Sequence, residues 1–123
     1  MTGVAAKGKL TTHVLDTAHG IPAAGVMIDL LRADGEAFRN VRSAVTNEDG
    51  RLDSPLLEGH SLHHGQFELH FHVADYFRSL NVLLSQPAFL DIVPIRFGIA
   101  DPAGHYHVPL LISPFGYSTY RGS

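Results

Sequence analysis

The chain contains no cysteine, no tryptophan and no long apolar run. Without cysteine, neither a disulfide framework nor a thiolate zinc site can form. No stretch reaches the roughly 18 apolar residues of a membrane span, which argues against membrane insertion. The first ten residues, M-T-G-V-A-A-K-G-K-L, also lack the apolar segment of a secretory signal. A cytoplasmic location is therefore the expectation.

The chain also has no large excess of charge of either sign. The net charge is −3, and basic and acidic residues are interspersed without a Lys/Arg stripe. Nucleic acid and anionic membranes are therefore poor candidates for partners. With 123 residues, the chain is long enough to fold as one domain without metal or disulfide staples. We expect a single domain over 1–123, with 1–7 as a flexible N-terminal extension.

The apolar residues recur with the period of strands rather than helices. Turn signals such as Asp34-Gly35 and Asn47–Gly50 separate the apolar segments, and only 75–84 has helix-like spacing. Short strands alternating with turns every 8–12 residues are typical of an all-β, two-sheet β-sandwich, here with one short helix. About eight strands are predicted, at 10–16, 26–32, 41–46, 51–53, 66–73, 92–99, 106–112 and 117–121.

Histidine, by contrast, is abundant, with nine in the chain. It can act as base, acid or metal ligand near neutral pH. His70 and His72 alternate with the apolar residues of their strand, which predicts exposed side chains on a half-buried sheet. The three histidines of the glycine-flanked loop 59–65 are expected to be solvated, although such a cluster can also bind adventitious metal; they are His60, His63 and His64.

Three strands carry an outer face that is neither plain core nor plain surface. His105 and His107 share that face with Leu111, and His13 lies on it in the first strand. On the last strand, Tyr120 is in the same position. Mixed polar and apolar faces of this kind indicate a subunit interface or a pocket. A His-x-His pair on a strand also suits zinc, and spacing alone leaves that alternative open.

The C-terminal segment closely resembles the terminal signature of the 5-hydroxyisourate hydrolases, a transthyretin-like family. It reads H-Y-H-V-P-L-L-I-S-P-F-G-Y-S-T-Y-R-G-S over 105–123, and the final Y-R-G-S is its most specific part. L-T-T-H-V-L-D at 10–16 resembles the family's first strand, and T-N-E-D-G-R at 46–51 its T-x-x-D-G-R turn. A-D-Y-F at 74–77 matches the start of its single helix. The resemblance covers nearly the whole chain from about Gly8.

The resemblance implies a transthyretin-type sandwich of eight strands and one short helix. It also implies a homotetramer, a dimer of dimers around a central channel, which would account for the mixed outer faces. By the same resemblance, the catalytic residues are His13, Arg51, His107 and Ser123. Substrate binding would involve His13, Arg51, Tyr120 and His105, with no cofactor and no metal.

The implied reaction is the hydrolysis of 5-hydroxyisourate by water attack at C6. The expected product is 2-oxo-4-hydroxy-4-carboxy-5-ureidoimidazoline, between urate and allantoin. We assign the general base to His107, with His13 as its partner, and donation to oxygen to Arg51. Two alternatives stay open. One is a transthyretin-like carrier of a hydrophobic ligand, and the other is a zinc protein using His13, His105 and His107.

Overall fold

Two β-sheets packed face to face make up most of the computed structural model, which describes residues 7–122. Ser123 and nearly all of the extension expected over 1–7 lie outside the described residues. The two sheets agree with the all-β sandwich that the alternating sequence predicts.

The strands are numbered in chain order. Two of them, β2 and β5, contain only two residues each. One α-helix, α1, spans Val73–Ser79, and a single 3₁₀ turn covers Gly59–Ser61. Neither is long and apolar enough to cross a membrane, and the same holds for every helix within 7–122. The strands are β1 Lys9–Asp16, β2 Ile21–Pro22, β3 Met27–Asp34, β4 Ala37–Val45, β5 Leu57–Glu58, β6 Gly65–His72, β7 Ile92–Ile99, β8 His105–Ser113 and β9 Gly116–Thr119.

The first sheet has the order β2-β1-β8-β9, with β5 also paired to β1. The second sheet has the order β4-β3-β6-β7 and is antiparallel throughout. Within the first sheet, β1 and β8 run parallel, in a register that sets Thr11 opposite His107 and His13 opposite Pro109. This pairing brings two ends of the chain side by side.

The core lies between the inner faces of the two sheets. Because side chains alternate along a strand, every second residue of β1, β6 and β8 enters it. The helix closes one end with the buried side chains of Tyr76 and Phe77. The largest fully buried side chains include Phe67, Phe71, Phe77, Leu10, Ile28, Leu30, Leu56, Leu69, Ile99, Leu110 and Ile112.

Three predicted elements differ from the structure. The strand predicted at 51–53 is wrong, because Arg51 makes only an isolated bridge to His13 and the short strand comes later, at β5. The helix is shorter than the segment 75–84, since the chain turns at Asn81, whose φ is 63°. The last strand ends at Thr119, so Tyr120 follows β9 rather than belonging to it.

Pro109 lies within β8, where a residue without an N–H is unusual. Its carbonyl accepts a hydrogen bond from the Thr119 hydroxyl at 2.7 Å and therefore points away from β1, towards β9. The nitrogen of a strand residue points to the same side as its carbonyl. The pairing of β8 with the chain after β9 is interrupted here and resumes at the isolated bridge between His107 and Gly122. The proline therefore lies in the interruption of this ladder, on the side of β8 that faces the tail.

Candidate active site

The outer face of the first sheet carries two histidines in direct contact. His13 Nδ1 lies 2.7 Å from His107 Nε2, and the two ring centroids are 4.9 Å apart. The parallel register of β1 and β8 produces this contact. It sets His107 opposite Thr11, which is two residues before His13 and on the same face of the sheet. The other ring nitrogen of His107, Nδ1, lies 2.7 Å from the hydroxyl of Thr11. Both nitrogens of His107 are therefore occupied, whereas Nε2 of His13 has no hydrogen-bond partner among residues 7–122.

The turn that follows β4 brings Arg51 beside His13. Asn47 Oδ1 accepts hydrogen bonds from the backbone N–H groups of Asp49 and Arg51, which closes the turn. The turn rests on β1, because the N–H of Val14 donates to the Gly50 carbonyl at 2.8 Å. Gly50 has a φ of 72°, and a Cβ there would stand 2.4 Å from the Val14 carbonyl oxygen. Only glycine therefore permits this close approach.

The C-terminal tail closes the other side of the site. The N–H of Gly122 donates to the His107 carbonyl at 2.7 Å. The guanidinium of Arg121 donates to the His105 carbonyl at 3.1 Å and lies 4.3 Å above the ring of Tyr106. That ring is itself held, because its hydroxyl accepts hydrogen bonds from two backbone N–H groups of the β7–β8 loop. These contacts fix the tail that carries Tyr120.

A cavity of about 630 Å³ opens between these elements. Among the described residues that line it, three are cationic and none is a carboxylate, so this part of the cavity suits an anionic or strongly polar molecule. The described residues that line it are Lys9, Thr11, His13, Arg51, His105, His107, Tyr120, Arg121 and Gly122.

The environment of the two imidazoles disfavours their protonated forms. Burial lowers the pKa of His13, and the neighbouring Arg51 guanidinium lowers it further. Burial also lowers the pKa of His107, with smaller effects from His13 and Arg51. Since an unperturbed histidine has a pKa of about 6.5, both rings are neutral near pH 7. A neutral imidazole with a lone pair towards a polar cavity can act as a general base.

A comparison with known protein families identifies the family of the chain. The model of the HIUase/Transthyretin family matches residues 10–122, which include every described residue of the site except Lys9. The chain belongs to the HIUase/Transthyretin family. The family resemblance that the sequence motifs indicate is thereby confirmed.

Individual relatives agree with this assignment. The chain is 62% identical over 116 residues to the 5-hydroxyisourate hydrolase 2 of Rhizobium meliloti, covering 94% of this chain and 97% of that protein. It also matches the crystal structure of (S)-allantoin synthase, with a TM-score of 0.91 and 48% identity. That match covers 97% of this chain but 45% of the synthase, so the chain spans about half of the longer protein.

The same fold occurs in a transthyretin that was crystallised with a bound ligand. Sea bream transthyretin in complex with thyroxine gives a TM-score of 0.81 at 24% identity, over 93% of this chain and 94% of that one. At this level of identity the comparison concerns the fold alone. It confirms the transthyretin-type sandwich expected from the sequence.

Five of the six residues that the motifs predict line one cavity of this family member: His13, Arg51, His105, His107 and Tyr120. The sixth, Ser123, lies outside the described residues. The sequence motifs assign no role to four further lining residues, which are Lys9, Thr11, Arg121 and Gly122. The strand period places Thr11 on the same face as His13, and Lys9 follows the same alternation.

The histidine trio of the zinc alternative does not converge on a common point. His13 and His107 are hydrogen-bonded to each other, and His105 Nε2 lies 3.2 Å from the Lys7 carbonyl oxygen. Within 7–122, no three His, Asp or Glu side chains are grouped as metal ligands.

The remaining strand histidines are on the other sheet. His70 Nε2 lies 2.8 Å from a Glu68 carboxylate oxygen, and His72 Nε2 lies 2.8 Å from an Asp29 oxygen. Each is half-buried rather than fully exposed, because these carboxylates hold the rings against the sheet. Neither ring lines the cavity beside His13. Their positions make both residues suitable controls for the site.

Proposed function

We propose that this protein hydrolyses 5-hydroxyisourate to 2-oxo-4-hydroxy-4-carboxy-5-ureidoimidazoline, a step of urate catabolism towards allantoin. The observation that carries the proposal is the hydrogen-bonded pair of His13 and His107 beside Arg51 in a basic cavity. The name of the Rhizobium meliloti relative supports the same substrate. A cytoplasmic location and a single domain over the whole chain are part of this proposal.

In this reaction, a water molecule attacks the C6 carbonyl of the ring. The sequence motifs assign the general base to His107, but the hydrogen-bond pattern favours His13 as the base. Both ring nitrogens of His107 are engaged, whereas no residue that the structure describes is bonded to Nε2 of His13, which lines the same cavity. We therefore assign proton acceptance to His13 and proton relay to His107. General-base assistance of this kind contributes roughly 10²–10⁴ in rate.

Arg51 is suited to the oxygen on which charge develops. Its planar guanidinium offers several N–H donors, and the turn that carries it is fixed against β1 beside His13. After water adds, the electron pair of the C6 oxyanion returns and the C6–N1 bond breaks. His13 and His107 return the proton to N1, which gives the carboxylate and the ureido group of the product. Water is the nucleophile, so no covalent intermediate forms, and the proposal includes that the reaction proceeds without a metal.

The outer face of the first sheet also supports a homotetramer in which two dimers enclose a central channel. Two large aromatic side chains are exposed there or at its turns, Tyr120 after β9 and Phe115 at the β8–β9 turn. Phe115 is 77% exposed at the β8–β9 turn, an unusual position for phenylalanine unless another surface covers it. Packing of a second copy on this face would enclose the cavity and exclude bulk water from it.

One assay tests the hydrolase. The purified protein is dialysed against a chelator and added to urate freshly oxidised by uricase, and the ultraviolet absorbance of 5-hydroxyisourate is followed. We expect decay much faster than the spontaneous reaction, equal before and after dialysis. A His13→Ala variant serves as the matched control and should decrease the catalysed rate by about two orders of magnitude or more. Spontaneous decay with the wild-type protein would reject the function, and binding of an apolar ligand in its place would favour a carrier.

A further inference from the structure

Thr11 contacts the histidine pair at His107, on the side away from His13, and the sequence motifs give it no role. It lies opposite His107 in the register of β1 and β8, and its hydroxyl oxygen is 2.7 Å from His107 Nδ1. The three side chains therefore form one line of hydrogen bonds, from Thr11 through His107 to His13. Thr11 also lines the cavity, so its own hydroxyl hydrogen can be donated to solvent or substrate there.

The position of one hydrogen decides what this line of groups can do. A single hydrogen lies between His13 Nδ1 and His107 Nε2, because two N–H groups or two lone pairs would repel each other. If His107 donates it, Nε2 of His13 carries a hydrogen and cannot accept another from water. If His13 donates it, Nε2 of His13 presents a lone pair to the cavity. In that second state the hydrogen of His107 is on Nδ1 and needs an acceptor.

The hydroxyl of Thr11 is the acceptor that this second state requires. When His13 takes a proton from water, its Nδ1 hydrogen can pass to His107 Nε2, and the positive charge then spreads over both rings. His107 Nδ1–H keeps its acceptor throughout, which favours the charged pair. From this geometry, and given the hydrolase function proposed above, we propose that Thr11 is a positioning residue. It holds His107 in the Nδ1–H tautomer and so directs the lone pair of His13 Nε2 to the substrate.

Other charged and titratable groups also face the pair across the cavity: Lys9, Arg51, His105, Tyr120 and Arg121. Substitution of Thr11 leaves all of them in place. A change in titration between Thr11 variants therefore isolates the contribution of the hydroxyl.

Two variants separate this role from a packing role. Thr11→Val removes the hydroxyl and keeps the branched shape, whereas Thr11→Ser keeps the hydroxyl. Two-bond ¹H–¹⁵N NMR of the wild-type protein should show the His107 hydrogen on Nδ1, and Thr11→Val should move it to Nε2. We expect kcat of Thr11→Val to fall about 10- to 100-fold, the scale of a lost hydrogen bond to a charged group. The acid limb of kcat/KM should move to lower pH, because the protonated pair loses an acceptor. Thr11→Ser should restore all three properties.

Thr12→Val is the matched control. The Thr12 hydroxyl is buried and donates to the Val108 carbonyl at 2.7 Å, on the core side of the same strand. Its loss should lower stability without changing the His107 tautomer or the pH profile. An Nε2–H tautomer in the wild-type protein, an unmoved tautomer in Thr11→Val, or failure of Thr11→Ser to restore it would overturn the assignment of Thr11. A wild-type protein without hydrolase activity would overturn the proposed function instead, and the tautomer measurement would still decide the role of Thr11.

Discussion

Gly122 lies so close to His107 that a Cβ at position 122 would stand 2.7 Å from Cδ2 of the imidazole ring. The same glycine donates its N–H to the His107 carbonyl. The glycine of the terminal Y-R-G-S motif therefore has a steric role, because a larger residue would collide with the imidazole ring of His107 where the tail packs against it.

Gly122→Ala should therefore displace His107 from His13 while leaving the sandwich folded. We expect kcat/KM to fall by about 10²-fold, the scale of a small misplacement in a catalytic group. Activity and circular dichroism of the purified variant measure the two effects. Gly116→Ala is the control, because a Cβ there would meet only the Ser113 hydroxyl, at 3.7 Å. Equal activity in both variants would contradict a role of Gly122 in positioning the His107 ring.

His13→Ala and His107→Ala should each reduce kcat by about two orders of magnitude or more, the scale of a lost general base. Because the two rings act as one unit, the double variant should be little worse than either single one. His70→Ala and His72→Ala are the controls and should keep near wild-type turnover, since both lie on the other sheet. Additive losses in the double variant would show that the rings act independently.

The pH profile should reflect the lowered pKa of both histidines. A base is active when it is unprotonated, so a lowered pKa extends activity to lower pH. We expect the acid limb of kcat/KM to lie below the ordinary histidine value of about 6.5. Arg51→Gln should lower the rate and move this limb upward, because it removes a cation that disfavours protonation of His13 and His107. A limb above that value in the wild-type protein would contradict the neutral pair.

A stability prediction concerns Asp16, which is fully buried at the end of β1. Burial alone would raise its pKa, but hydrogen bonds from the Tyr76 hydroxyl at 2.8 Å and from His19 at 2.6 Å outweigh burial and lower it. A carboxylate with a lowered pKa stabilises the fold above its unfolded-state pKa, and this stabilisation is lost as pH falls through the folded value. Tyr76→Phe should therefore lower the free energy of unfolding by about 1–3 kcal/mol at pH 7.

Urea unfolding of wild type and Tyr76→Phe, repeated from pH 7 to pH 2, measures this effect. The difference in free energy of unfolding between the two proteins should decrease at the lowest pH values, where Asp16 is protonated in the folded and the unfolded state. Tyr117→Phe is a suitable control, because Tyr117 is 46% exposed on β9. A difference that is independent of pH would assign the effect of Tyr76 to packing alone.

Sedimentation should give a mass about four times the 13.4 kDa chain if the proposed assembly forms. Phe115→Asp would put a charge on the exposed apolar side chain at the β8–β9 turn and should shift the protein towards smaller species, with a parallel loss of hydrolysis. Glu36→Asp, on the exposed β3–β4 turn, should leave both unchanged. A fully active monomer would contradict a site that needs neighbouring copies.

Local pattern was enough to predict the strands that alternate cleanly, such as β6, and the outward position of His13 and His107. It was not enough for the pairing of β1 with β8, because which strands meet, and in what register, depends on the whole core. The contact of Thr11 with His107 follows from that pairing, and the contact of Gly122 follows from the bridge of the tail to β8, so neither could be predicted from local pattern. Arg51 was found through its motif, although the local strand expected around it does not form.

The histidine pair also has a consequence for how the protein matures. His13 and His107 are 94 residues apart in the chain, and they meet only through the parallel pairing of β1 with β8. During synthesis, the first strand leaves the ribosome long before its partner exists, so the dyad cannot assemble on the nascent chain until β8 emerges. Contacts of such high sequence separation form late and slowly. Hydrolytic activity should therefore appear only after the chain has been completely translated and folded. Fragments that lack the C-terminal strands should be inactive, even if their remaining strands form sheets.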